Sequence, residues 1–206
     1  SNRRFAYEEV QAIIEREQKG GKEPLPGDEL KNEIMTLDSL AKILRQKRFA
    51  DGALSFDRVE VRFDIDEKGH PVSVYFKESK DANQLVEEFM LLANRTVAEF
   101  VGNVKGGNPK TFVYRVHDEP DPERMENLQN FVAKFGYKLK SNGDPVEMAK
   151  SMNRMLAEVK GKKEQELIET ISIRSMQKAC YTTENIGHYG LAFKYYTHFT
   201  SPIRRY

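Results

Sequence analysis

Apolar residues recur at helical spacing over most of the chain, and this periodicity restricts its fold more than any other feature. The longest such stripe predicts one helix, whose buried face carries Leu85, Phe89, Leu92, Thr96 and Phe100. We expect Asp81 to cap this helix, with Gln84 three residues later as in a capping box. Strict alternation of apolar and polar residues, the pattern of a strand, is confined to short stretches. The sequence therefore predicts an α+β fold that is mainly helical, with short antiparallel strands.

Five further helices and three strands complete the predicted order. The helices are expected at 7–19, 30–44, 122–136, 145–159 and 164–179. The strands 59–65 and 72–76 predict a half-buried hairpin, and a third strand is expected at 111–116. Asp64 and Asp66 would share one strand face and could hold a divalent ion, but acidic residues beside a hairpin turn are ordinarily just solvated. We therefore assign no metal to this pair.

The overall charge of the chain does not indicate a nucleic-acid-binding protein. Its 206 residues include 33 Lys and Arg against 32 Asp and Glu, a formal net charge of +1. Cys180 is the sole cysteine, which excludes an internal disulfide, and we expect it to be packed near the end of a helix. No signal-peptide pattern and no apolar run of membrane-spanning length occur in the sequence. These features predict a cytoplasmic protein.

The segment after Glu184 differs from the rest of the chain because it contains no acidic residue. It interleaves basic residues with aromatic rings, namely His188, Tyr189, Phe193, Lys194, Tyr195, Tyr196, His198, Phe199, Arg204, Arg205 and Tyr206. This pattern suits single-stranded nucleic acid, whose phosphates attract cations and whose bases stack on rings. Core packing of the rings is equally compatible with the pattern.

Ser201 and Pro202 predict the start of a helix, because serine is a good N-cap and proline fits the first helical position. Arg204 and Arg205 would then lie in the first turn, where the helix dipole disfavours cations unless an anion compensates. Free backbone N–H groups, a hydroxyl and two guanidiniums together suit a phosphate. An ion pair with a neighbouring acid, or simple solvation, is the alternative.

Several sequence blocks closely resemble the signature of the RNB family of 3′-to-5′ exoribonucleases. The two most specific are 185–192, NIGHYGLA, and 196–206, YTHFTSPIRRY. Three further blocks match in the expected order, at 5–7, 85–94 and 114–118. The resemblance thus runs from end to end, and it implies that residues 1–206 are part of an RNB catalytic domain.

The family removes nucleotides processively from the 3′ end of single-stranded RNA with magnesium, and the resemblance implies this activity for the parent protein. In the family, an aspartate cluster N-terminal to the equivalent of Phe5 binds Mg²⁺, and no such block occurs here. The family also continues past the equivalent of Tyr206 with a Pro-Asp-Leu stretch and more helix. We therefore expect a C-terminal-side fragment of the domain, truncated at both ends, inactive alone and able to self-associate through faces normally covered.

The resemblance assigns roles within the C-terminal motif. Arg204 is implied to be catalytic, because the first arginine of this motif lies at the scissile phosphate in the family and is needed for cleavage. Arg205 is implied to contact RNA, and the family tolerates lysine there. Ser201 is expected to contact RNA with it.

Further RNA contacts are expected outside this motif. Glu88, rather than Glu87, borders the buried helix face, and its carboxylate could accept a hydrogen bond from a ribose 2′-hydroxyl. A surface acid paired with Arg95 or a lysine is the alternative. Phe5 and Tyr7 match a block that lies near the RNA 3′ end in relatives, with core packing of the first helix as the alternative.

Arg115 and His117 are expected to project outward from the third strand and line the RNA channel. His188 and His198 have no third ligand at zinc spacing, so we expect them to contact phosphate or the packed loop. Two other functions remain open: a non-catalytic RNA-binding relative that has lost the metal-binding acids, and a protein-interaction domain that binds acidic peptides through the C-terminal arginines.

Overall fold

The computed structural model describes residues 3–56, 60–77, 79–104, 110–201, 203 and 205. It divides into two compact units. The first unit comprises Ser1–Leu44 and Asp57–Phe89, and the second comprises Arg45–Phe56 and Met90–Tyr206. In the described residues, helices predominate and the strands form two two-stranded antiparallel sheets. The predicted α+β class is therefore confirmed.

Helix α1, Tyr7–Lys19, organises the core of the first unit. Glu9 accepts a hydrogen bond from the Ala6 backbone N–H, and Gly20 ends the helix in the left-handed conformation, at φ 69°. Helix α2 follows at Lys31–Ala50. The apolar side chains of the two helices meet in a cluster built on Ile13, Ile14, Ile34 and Ala82.

A hairpin of β1, Glu60–Ile65, and β2, Pro71–Lys77, also belongs to the first unit. The alternation predicted its strands correctly, but the prediction that it is half-buried was wrong. Val61, Phe63 and Val74 are all more than half exposed, at 52%, 55% and 55%. Alternation sets which side chains share a face, while burial requires a layer that packs on that face. The expected self-association stays a prediction, and these exposed apolar side chains are compatible with it.

Helix α3, Asp81–Gly102, carries the longest apolar stripe, but the prediction that this stripe is the buried face was wrong. Phe100 is 85% exposed and Thr96 is exposed, whereas the buried positions Glu88, Leu91, Asn94 and Ala98 follow another side of the helix.

Asp81 does not fill the capping role that we expected of it. Its carboxylate accepts hydrogen bonds from Gln18 and Lys42, whereas the side chain of Asn83 accepts one from the Lys80 backbone N–H at 3.2 Å. The sequence predicted the residue at which the helix begins, but it could not show that side chains from two other helices would donate hydrogen bonds to Asp81.

Three helices build the main core of the second unit: α4, Pro122–Ala133; α5, Pro145–Val159; and α6, Gln165–Ser175. Asp121 and Asp144 cap α4 and α5 by accepting a backbone N–H, each followed by a proline in the first turn. The buried cluster between the helices includes Met125, Leu128, Val132, Met152, Met155, Leu156, Val159 and Ile168. Tyr189, in the segment after Glu184, packs against this cluster.

Strand β3, Tyr114–Val116, pairs antiparallel with β4, Cys180–Thr182. The strand at Cys180 was not predicted, because the helical pattern was expected to continue to residue 179. Helix α6 ends at Ser175 instead, and Met176 takes an extended conformation. Cys180 is consequently exposed on a strand rather than packed at a helix end. No helix among the described residues is both long and apolar enough to cross a membrane.

Candidate nucleic-acid interface

The C-terminal segment is laid against β3 by backbone and side-chain hydrogen bonds. The Arg115 backbone N–H donates to the Tyr196 carbonyl at 2.9 Å, and the Thr197 hydroxyl donates to the Val113 carbonyl at 2.7 Å. Tyr196, Thr197 and His198 are all buried, at 5%, 1% and 9% exposure. Residues 201–206 contain Arg204 and Arg205 and are called the arginine motif below. The residues that lead into this motif, Tyr196 to His198, are therefore part of the folded core of the second unit.

Asn94 of α3 links the helix to this segment. Its side-chain amide donates to the Tyr196 hydroxyl at 3.3 Å, and its carbonyl oxygen accepts the Thr200 backbone N–H at 2.8 Å. The Asn94 side chain is itself buried, at 3% exposure. One amide thus fixes both ends of the stretch between residues 196 and 200, directly before the motif.

His198 is held beside Arg115 by Tyr181. The Tyr181 hydroxyl lies 2.6 Å from His198 Nδ1, and the Arg115 guanidinium stacks 4.7 Å from the centre of the Tyr181 ring. Arg115 and Tyr181 are direct partners across the β3–β4 ladder, which explains the stacking. Burial lowers the pKa of His198 to about 4, and the charges of Arg205 and Arg115 act in the same direction. His198 is therefore neutral near pH 7.

His117 and His188 lie together, with ring centres 5.1 Å apart. His117 is half-buried: Nε2 contacts the Gln177 carbonyl at 2.8 Å, and Nδ1 accepts the Gly190 backbone N–H at 2.9 Å. Burial lowers the pKa of His188 to about 3, and neighbouring His117 adds to the effect. The His117 ring is thus hydrogen-bonded into the loop, while the His188 ring packs between His117 and Tyr196, which is the packed-loop alternative that the sequence left open for His188.

A cavity of about 760 Å³ adjoins these histidines. Its lining includes His117, His188, Arg95, Phe193 and Lys194. Arg95 stacks over the Phe193 ring at 5.4 Å. Among the described residues, Arg95 Nε and His188 Nδ1 are buried without a hydrogen-bond partner. The lining also contains Asp51, Glu99, Asp118 and Glu119, so its charge does not favour an anion.

The arginine motif itself is described only in part. Arg204 and Pro202 lie outside the described residues, so the predicted helix start and the position of the Arg204 guanidinium are not described. Ser201 is exposed with φ 57°, which differs from the extended backbone that an N-cap residue usually adopts. Arg205 is exposed and close enough for its charge to lower the pKa of His198.

The remaining predicted RNA contacts, Phe5, Tyr7 and Glu88, belong to the first unit. Glu88 is buried, at 3% exposure, and Glu87 is exposed, as predicted, although the apolar stripe on which that prediction relied is not the buried side of the helix. Phe5 packs against the apolar cluster of α1 and α2, and the Arg3 guanidinium carbon lies 4.7 Å from the centre of its ring. Tyr7, in contrast, is 46% exposed. Their contacts with RNA stay predictions.

Asp64 and Asp66 serve the hairpin. Asp64 accepts a hydrogen bond from its cross-strand partner Ser73, and Asp66 accepts the backbone N–H groups of Lys68 and His70. These hydrogen bonds lower the pKa of Asp66. In the part of the chain that the structure describes, no three His, Cys, Asp or Glu side chains are grouped to hold a metal ion. The Asp64 and Asp66 carboxylates are therefore engaged by the hairpin, and the location of the magnesium ligands outside this chain stays a prediction.

Two residues of the interface were missed as functional positions. Asn94 falls within the block at 85–94 that resembles the RNB family, but the segment that it binds is more than a hundred residues away in the sequence. Tyr181 lies in the strand that was not predicted. Asn94 lies on the opposite side of α3 from the predicted apolar stripe, so the helical pattern gave no reason to expect its amide to be buried.

The buried histidines predict a loss of stability on mild acidification. The folded pKa values of His188 and His198, about 3 and about 4, lie below the unfolded value, so the unfolded chain takes up protons that the folded chain does not. Stability is full above about pH 6.5 and falls as the pH drops towards these values. Between pH 6.5 and 5 the two histidines together are expected to cost about 3 kcal/mol, measured by urea unfolding. NMR titration of His188 or His198 near pH 6.5 would contradict the assignment.

The chain matches the RNB domain family over residues 1–206, and it belongs to that family. Ribonuclease R of Thermotoga maritima is 39% identical over 213 residues, covering 100% of this chain and 28% of that protein. The chain thus spans about a quarter of the length of its curated relatives.

Solved structures share the fold. Mycoplasma genitalium RNase R in complex with ribose methylated single-stranded RNA gives a TM-score of 0.80 at 24% identity, over 97% of this chain and 30% of that one. Yeast Ssd1, a pseudonuclease, gives a TM-score of 0.60 at 17% identity, over 96% of this chain and 23% of that one.

Proposed function

We propose that the chain is part of a processive 3′-to-5′ exoribonuclease that hydrolyses single-stranded RNA in the cytoplasm. Family membership and the similarity to ribonuclease R support this reading. The observation that carries it is the anchoring of the segment before the arginine motif, where buried Asn94 fixes Tyr196 and Thr200. A preorganised segment of this kind suits a group that must meet a phosphate in one geometry.

In this proposal the chain binds RNA and stabilises charge, and it does not activate the water. Arg204 contacts the scissile phosphate, where a guanidinium opposes the negative charge that grows on the phosphoryl oxygens. Arg205 and Ser201 contact the neighbouring backbone, and Arg115 with the buried histidines maintains the surface beneath them. Glu88, Phe5 and Tyr7 contribute to the RNA path from the first unit. Magnesium, when bound, would supply an activated water, and we place its ligands outside this chain.

The isolated chain is expected to show no measurable exoribonuclease activity in magnesium. Arginines stabilise charge but cannot generate hydroxide, and the described residues hold no acid cluster for the metal. The measurement is release of nucleotides from an end-labelled single-stranded RNA, with the longer protein as positive control. Chelator-sensitive turnover by the pure chain would refute this assignment of roles.

The alternative is a non-catalytic RNA-binding relative. This alternative is compatible with the fold, because the fold is shared with yeast Ssd1, a pseudonuclease. The two functions differ in whether the longer protein has an aspartate cluster N-terminal to Phe5. Turnover by that longer protein separates them directly: an exoribonuclease shortens RNA from its 3′ end, while a binding relative retains the full-length strand.

A further inference from the structure

A second basic surface lies away from the C-terminal motif, on α5 and the end of α2. It borders a groove of about 590 Å³ lined by Phe49, Ser55, Glu147, Lys150, Asn153 and Arg154. Lys150 and Arg154 are four residues apart on α5, so they share one face of the helix. Both side chains are exposed. We call this groove, with its six lining residues, the α5 groove.

Within the described residues, neither cation of the α5 groove forms an ion pair. Like charges at this spacing destabilise a helix slightly, so a compensating acid would be expected nearby. Glu147, the acid in the lining, lies 3.7 Å from Lys140, which is outside the groove. Among the ion pairs within the described residues, none involves Lys150 or Arg154. The pair therefore presents two positive charges to solvent, with Glu147 and Glu158 as the nearest acids along the helix.

The walls of the α5 groove are held in place. Between the two cations, the Asn153 amide donates to the Ala53 carbonyl at 2.7 Å, and its oxygen accepts the Ser55 backbone N–H at 3.0 Å. Arg45 and Arg48 stack on the Phe49 ring at 4.8 Å and 4.9 Å. Because both arginines have further partners, they position the ring rather than supply free charge.

We propose that the α5 groove binds the phosphodiester backbone of RNA, as a contact separate from the C-terminal motif. A lysine and an arginine on one helix face, beside a fixed groove, match phosphates that follow one another along a strand. The mixed charge of the cavity beside His188 does not offer this complementarity. The inference rests on the proposed function, since it takes the ligand of the longer protein to be RNA.

The test compares RNA binding by two charge-matched variants of the chain. The double variant Lys150→Glu, Arg154→Glu reverses both positive charges of the α5 groove. The control, Lys134→Glu with Lys138→Glu, makes the same change in net charge at exposed positions elsewhere in the second unit. Fluorescence anisotropy of a labelled single-stranded RNA is measured over a series of salt concentrations. We expect at least a tenfold weakening for the first variant and less than threefold for the second. The slope of log affinity against log salt is expected to fall by about 1.4, as for two lost phosphate contacts.

Each other result counts against the proposal in a distinguishable way. RNA binding that both variants retain overturns the α5 groove alone and leaves the exoribonuclease proposal standing. Equal weakening in both variants attributes the effect to overall charge and also overturns it. No binding by the wild-type chain at low salt overturns both proposals. Thermal unfolding of each variant verifies that the exposed substitutions leave the fold intact.

Discussion

If the proposed function is right, Arg204→Ala in the full-length protein is expected to lower the kcat of RNA cleavage by on the order of a hundredfold or more. The reason is that a preorganised donor to a developing oxyanion acts mainly in the transition state. RNA affinity is expected to change little, because many phosphate contacts along the strand share the binding. Single-turnover cleavage and RNA binding, both at fixed salt, measure the two quantities separately.

Conservative variants sharpen this prediction. Arg204→Lys is expected to restore little activity, because an ammonium supplies charge without the bidentate fork of a guanidinium. Arg205→Lys is the matched control and is expected to be tolerated. Equal and modest losses of rate and affinity in Arg204→Ala would reduce the residue to an ordinary backbone contact.

The sequence predicted helices well where local signals agree. For α1, apolar spacing and the terminal glycine gave both ends as observed. For α4 an aspartate followed by proline gave the start, and for α5 the helical pattern alone gave the observed bounds. These signals are short-range, so no knowledge of the tertiary structure was needed. Burial of the hairpin could not be predicted in the same way, because it depends on whether another layer covers the strand.

The candidate interface was predictable in composition but not in arrangement. The basic and aromatic residues after Glu184 were identified, yet their roles depend on contacts with β3, β4 and α3. Strand β4 was missed because a three-residue strand carries too little periodicity to compete with the helical pattern before it. Without β4, the stacking of Arg115 on Tyr181 and the contact of Tyr181 with His198 could not be anticipated.

Asn94→Leu is expected to damage both stability and catalysis, because one buried amide serves two partners of the C-terminal segment. Leucine has a similar size but leaves the Thr200 N–H and the Tyr196 hydroxyl without the hydrogen bonds that Asn94 makes. Leaving buried polar groups unpaired costs about 1–3 kcal/mol each, so we expect a loss of about 2–4 kcal/mol, measured by urea unfolding of the chain. Asn127→Leu, at an exposed position on α4, is the control for the substitution itself.

The catalytic consequence separates positioning from simple structural support. In the full-length protein, under the proposed function, a displaced segment would misalign the arginine motif with the scissile phosphate, so kcat is expected to fall at least tenfold while RNA affinity stays within about threefold. Asn94→Asp keeps an oxygen that accepts the Thr200 N–H, and we expect it to recover most of the rate. If Asn94→Leu is destabilised but turns over RNA at the wild-type rate under conditions where it remains folded, then Asn94 supports the fold without positioning the motif.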